Sequence, residues 1–271
     1  MKSALSTLLS MVCLGFVVAA PRQIQAADAP RGILLGGDLT REFRLQPGQS
    51  AEGRFVLLNA SNDTTSARVY LTDYRYTADG NTTYDEPGTL PRSCAPWIEV
   101  ADRQPELKAG ESRSISFRVA VPREARLSGT YWCLVMIEPL SLDEPSAPGT
   151  VRVRSIVRYG LQIVVQVGES AAAKPRIFNQ SVALERGTRA LCFDLSNDGE
   201  RSFRPKIEVR LFDGQGRAIS TLQGRTTQVL PEMSVHQSFP LQNLGSGEYL
   251  AFIVLDSDDE TYGAQYRFRI D

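Results

Sequence analysis

Residues 128–139 read SGTYWCLVMIEP and residues 246–256 read SGEYLAFIVLD, with Ser, Gly and Tyr at the same three places. The echo is not isolated. LQPG (45–48) returns as LERG (184–187), each just ahead of an apolar stretch, GRFVLLNASND (53–63) and RALCFDLSND (189–198). VYLTDYRYTADGN (69–81) is answered by EVRLFDGQGR (208–217), and LKAGESRSISFRVAV (107–121) by VLPEMSVHQSFPL (229–241). The same features in the same order predict two copies of one supersecondary plan.

Within each copy the apolar period is two. Ile115, Phe117, Val119 and Val121 alternate with Ser114, Ser116, Arg118 and Ala120, and Ile207, Val209 and Leu211 alternate with Glu208 and Arg210. Such alternation sets one face of a strand on a core and the other in water. Turn clusters such as ASNDTTS, ADGN, SNDGE and DGQGR punctuate the strands. No long window has helical period and caps. About seven strands per copy at this spacing predict an all-β chain of two tandem immunoglobulin-like antiparallel β-sandwiches. The join falls in GESAAAKPR (168–176), rich in small residues, which sets the domains at 27–168 and 169–271.

Residues 1–26 read as a signal peptide. Lys2 precedes the apolar run ALSTLLSMVCLGFVVAA (4–20), and IQA, ending at Ala26, offers a small-residue cleavage site. The run is short for a span and breaks at Pro21-Arg22, and no other apolar segment approaches about 20 residues, so the mature chain is expected to be soluble. Met11 and Val12 do not suit lipoprotein processing at Cys13. With Lys2 and Arg22 removed, the formal charge of −1 becomes −3, which leaves no electrostatic footprint for nucleic acid. Export, periplasmic or secreted, also implies an oxidising compartment.

Leu45 to Gly129 in the first copy spans about 20 residues more than Leu184 to Gly247 in the second, and the surplus falls in TTYDEPGTLPRSCAPWIEV (82–100). Cys94 sits in that insertion; Cys133 stands where the second copy has Ala251. In an antiparallel succession the fourth and sixth strands start at the same end, so a Cys94–Cys133 disulfide is expected, the alternative being two unconnected, partly buried thiols. Cys192, between Leu191 and Phe193, reads as a small filler. Residues 131–137 are apolar on both faces, so their outer face needs covering by local loops, a neighbouring element or a ligand.

Catalytic chemistry has little to stand on. The chain holds one histidine, His236, between Val235 and Gln237 on a predicted strand, and it reads as a surface residue without a triad or zinc site around it. No phosphate loop or Cys-x-x-Cys pair occurs. The chain is therefore expected not to be an enzyme and to hold no metal or cofactor. DSDDE (256–260) reads as a solvated hairpin tip, with calcium as the alternative. Sequons at Asn59, Asn62, Asn81 and Asn179 matter only in a glycosylating host, and the short leader looks bacterial.

Two tandem immunoglobulin-like units behind such a leader resemble the PapD-like periplasmic pilus chaperones. DLTREFRLQPGQSAEGRFVLLNASND (38–63) carries the closest likeness, with its Thr-Arg step and a strand ending in an Asn-rich turn. The resemblance implies a partner, a pilus or other secreted subunit, held by strand addition along the seventh strand. It further implies two basic residues gripping the subunit's terminal carboxylate. Arg41 matches the first basic position and Arg158 is the nearest match to the second. TVRVRSIVRYGLQIVVQVG (150–168) matches the seventh strand, with Val151, Val153 and Val157 as donor residues. Ser155 interrupts that row, and the strand ends VVQVG without the aromatic and Arg-Pro close of the family. A second resemblance, to the immunoglobulin-like domains of bacterial surface proteins such as the WxL-interacting ones, implies an envelope protein. In that case a glycan or protein would meet the first domain near Trp97.

Overall fold

A computed structural model describes residues 32–124, 126–140, 157–185, 187–257 and 260–271. The first sandwich is built from β1 (Ile33–Gly36), β2 (Thr40–Leu45), β3 (Ser50–Asn59), β4 (Thr65–Tyr76), β5 (Thr82–Asp85), β6 (Ile98–Val100), β7 (Glu106–Leu107), β8 (Ser112–Ala120), β9 (Gly129–Leu140) and β10 (Tyr159–Val167). One sheet runs β1-β3-β8-β6 and the other β2-β10-β9-β4-β5, with β7 against β4. The second sandwich uses β11 (Pro175–Glu185), β12 (Thr188–Asn197), β13 (Lys206–Asp213), β14 (Ala218–Gln223), β15 (Ser234–Pro240), β16 (Gly247–Ser257) and β17 (Glu260–Ile270). Its sheets run β11-β12-β15 and β14-β13-β16-β17. The only helix among the described residues is the 3₁₀ turn Ala95–Trp97.

The predicted alternation holds in three dimensions. Ile115, Phe117 and Val119 of β8 are buried with Phe55 and Leu57 of β3 in the first core, and Ile207, Val209 and Leu211 of β13 in the second. The shared plan reaches further than the apolar pattern. In the first copy Asn59 ends β3, and its carboxamide accepts from Ser61 N while donating to the carbonyls of Asp63, Leu107 and Lys108. In the second, Asn197 ends β12, accepts from Gly199 N and donates to Arg201 and Val229 carbonyls. Both side chains are fully buried, so each clamps a turn and a distant loop with bonds water cannot replace. The backbone repeats too: Gly110 N donates to Asn59 O, and Glu232 N to Asn197 O. That loop needs a positive φ, 70° at Gly110 and 61° at Glu232.

The two copies differ where the first carries its insertion. Asp73, fully buried in β4, accepts from Gly88 N, Leu90 N and Ser93 Oγ, and so ties the insertion's turn to the sheet. Ser93 then pairs in parallel with Trp132, which brings Cys94 beside β9.

The outer face of β9 is covered by the second sandwich rather than by local loops. Tyr74, Trp132, Leu134 and Val164 pack with Leu230 and Met233, which precede β15. Tyr76 Oη donates to Gln228 O and accepts from Leu230 N, and Thr130 N donates to Glu200 O at 2.8 Å. At this joint the repeated Ser-Gly turn has different work in each copy. Gly129 has φ 87°, and a Cβ there would lie 2.3 Å from Glu200 O; at Gly247 an added Cβ meets nothing nearer than 3.7 Å. Both glycines hold a positive φ, 87° and 157°, but only the first adds a backbone clash, so Gly129→Ala should cost about 2 kcal/mol more than Gly247→Ala and loosen the joint. Thermal unfolding of both variants checks the contrast, and equal shifts would contradict it.

Candidate partner-binding edge

β10 sits between β9 and β2, and its two neighbours cover different lengths of it. β9 pairs with Tyr159 through Val167, whereas β2 runs parallel to it from Gln162 onwards, the pairing starting at Thr40. Upstream of Gln162 the β2-side edge of β10 has no strand against it among the described residues. Leu161, Ile163, Val165 and Val167 form the buried row of the strand. Val157 falls in the same odd-numbered phase and is 59% exposed, a bare apolar side chain beside an open edge. Val151 and Val153 lie outside the described residues.

The two basic residues picked by resemblance are held apart. Arg41 is in register with Ile163, five residues along β10 from Arg158, or about 17 Å at a strand's rise. Arg41 folds back on its own turn, donating to the carbonyls of Asp38 and Thr40. Arg158 pairs with Glu138 at 3.1 Å, which Arg68 also grips at 2.6 Å. The hydrogen bond from Arg68, helped by Arg158, holds the Glu138 carboxyl below the usual carboxylate range despite its burial.

A different pair of arginines converges where β10 ends. Arg44 of β2 and Arg201 of the second sandwich line a cleft of about 600 Å³ with Gln46, Gln49, Gln166 and Glu169. The carboxamide oxygen of Gln166 accepts from Arg201 Nη2 at 3.2 Å. Phe43 and Leu45 are the apolar, inward phase of β2, so Arg44, not Arg41, shares the face of Glu42, which pairs with Arg204 across the joint at 2.8 Å.

Cys94 and Cys133 are brought together, with sulfurs 3.4 Å apart and both side chains fully buried. They stand here as free thiols, so the expected bridge is not formed in this structure. Burial, reinforced by the neighbouring Cys133, pushes the Cys94 thiol well up. Trp97, assigned to partner contact in the envelope-protein reading, packs on Tyr131 at 4.6 Å against the first core. Of the acidic tip at 256–260, residues 258 and 259 lie outside the described residues.

No protein-family model and no curated protein matches the sequence. Solved structures do. A class 5 fimbriae chaperone, CfaA, is 13% identical with a TM-score of 0.49, over 86% of this chain and 98% of that one. A chain from the chaperone–tip adhesin complex of CFA/I fimbriae is 12% identical at a TM-score of 0.48, covering 88% of this chain and 98% of that chain. One from the Salmonella enterica complex of SafA pilin with the SafB chaperone is 11% identical at 0.44, covering 89% and 99%. At such identities a likeness assigns no role, and what this chain binds has to be argued from its own residues.

Proposed function

We propose that the protein is a non-enzymatic, exported chaperone that holds a pilus or similar secreted subunit by strand addition on β10. The observation that supports this most is the β10 edge upstream of Gln162, unpaired on the β2 side among the described residues, with Val157 exposed in the phase of the buried row. A strand laid there gains main-chain hydrogen bonds from the edge, while Val151, Val153 and Val157 offer alternate apolar side chains to an incomplete partner sandwich. Arg44 and Arg201, with Gln166 between them, supply the charge that a partner's terminal carboxylate needs, in place of the Arg41 and Arg158 pair.

The test is co-expression with the pilin-like product of a neighbouring gene and purification of the complex. Val153→Glu together with Val157→Glu should weaken the complex roughly tenfold or more, since a buried glutamate on a donor row has no partner. Unimpaired capture by the double variant overturns strand addition. In the compartment that the 1–26 leader implies, Cys94 and Cys133 close into a disulfide, which adds about 4 kcal/mol by the chain-entropy argument for a loop of about 40 residues. Thiol labelling of the unfolded, non-reduced protein, read by mass spectrometry, should mark neither residue; labelling of both contradicts the bridge.

A further inference from the structure

We propose that the second sandwich carries a zinc-type metal site made by Glu185, Cys192 and His236, with Asp194 as the residue that orients the imidazole. The three ligands come from three adjacent strands. Cys192 is opposite Ser181 of β11 and Ser238 of β15, while Asp194 is opposite His236. Cys192 is on the outer face of β12, because Leu191, Phe193 and Leu195 take the inner one. It is nonetheless 3% exposed. One ligand atom from each of Glu185, Cys192 and His236 lies within 4.8 Å of the other two. A tetrahedral ion with bonds of about 2.0–2.3 Å asks for neighbours about 3.5 Å apart, so closure requires shifts of about 1 Å in two side chains that are not fully buried.

The imidazole is set as metal-bound imidazoles are. Its Nδ1 faces Asp194 Oδ1 at 2.7 Å, which leaves Nε2 directed at Glu185 Oε1, 2.9 Å away. A carboxylate on the far nitrogen fixes the tautomer and ring plane and raises the basicity of the ligating one. Two carboxylates around one imidazole make the spot locally negative, and Arg225 is on the wall of the adjoining cleft of about 530 Å³ rather than among the ligands. One thiolate, one imidazole and one carboxylate suit a borderline-soft divalent ion, Zn²⁺ above Mg²⁺ or Ca²⁺, with a fourth position open to the cleft. Binding releases the Cys192 thiol proton to the buffer.

His236 is the chain's one histidine, so an imidazole signal reports this site and no other. The mature chain, made without a polyhistidine tag and stripped with chelator, is titrated with Zn²⁺ and, separately, Co²⁺. One equivalent of Zn²⁺ should move the His236 Nε2 resonance while Nδ1 stays protonated, and Co²⁺ should give a thiolate charge-transfer band. Cys192→Ser and the exposed-site variant His236→Gln should each weaken binding at least tenfold; the second keeps the test valid if the first misfolds. An unmoved imidazole at tenfold excess Zn²⁺, or a charge-transfer band retained in His236→Gln, overturns the site.

Discussion

Trp132→Ala should destabilise the first sandwich by about 4 kcal/mol and uncouple it from the second. Trp132 is 4% exposed, and its ring fills the joint between Tyr74, Leu134 and Val164 on one side and Leu230 and Met233 on the other. Its Nε1 donates to Tyr74 O at 3.0 Å, a bond alanine cannot replace. The truncation leaves a cavity bounded by two separate cores, and neither can collapse into it without dragging its sheet. The chain has two tryptophans, so in the variant Trp97 alone reports on the first sandwich. Urea unfolding followed by Trp97 fluorescence should show an earlier transition, distinct from that of the second sandwich by circular dichroism. A midpoint equal to wild type would mean that the joint contributes nothing to stability.

Asn59→Ala and Asn197→Ala should each cost about 3 kcal/mol, and nearly equally, although they sit in different sandwiches. Asn59 serves three carbonyls and two donors at Ser61 from a fully buried position. Removing the carboxamide leaves several of these groups unsatisfied, at about 1–3 kcal/mol for each one that stays dry. Asn59→Asp separates hydrogen bonding from shape. It keeps the acceptor for Ser61 but turns the other oxygen toward three carbonyls, so it should be no better than alanine. If the aspartate variant were as stable as wild type, the clamp would owe its effect to packing alone. Chemical denaturation of all three variants reads the comparison.

The strands were legible because one-sided burial writes period two into a sequence. β8 and β13 were read residue by residue from that pattern. β9 was legible as a strand with two dry faces, but not for what covers the second. Trp132 and Leu230 are almost a hundred residues apart, and nothing local to either names the other. The repeated asparagines were visible as turn residues only, since their shared hydrogen-bonding pattern depends on loops that meet in space. Likeness to a family picked out Arg41, while the apolar phase of β2, with Phe43 and Leu45 inward, places Arg44 on the face of Glu42. Cys192 and His236 each looked ordinary because their neighbours in sequence are core residues. Register across β12 and β15, invisible in one dimension, sets these two near each other, and the Glu185 side chain reaches them from its place opposite Thr188.

The parallel pairing of β2 with β10 has a mechanical meaning. β2 enters at the N-terminal side of the first sandwich, and β10 leads out of it into the second. Tension between the chain ahead of β2 and the linker after Val167 pulls the two strands in opposite directions along their shared axis. Their six register pairs, Thr40–Gln162 through Leu45–Val167, are then loaded in shear and must fail together rather than unzip singly. A sandwich wired this way resists being drawn apart along its length, because no single pair can give way before the others.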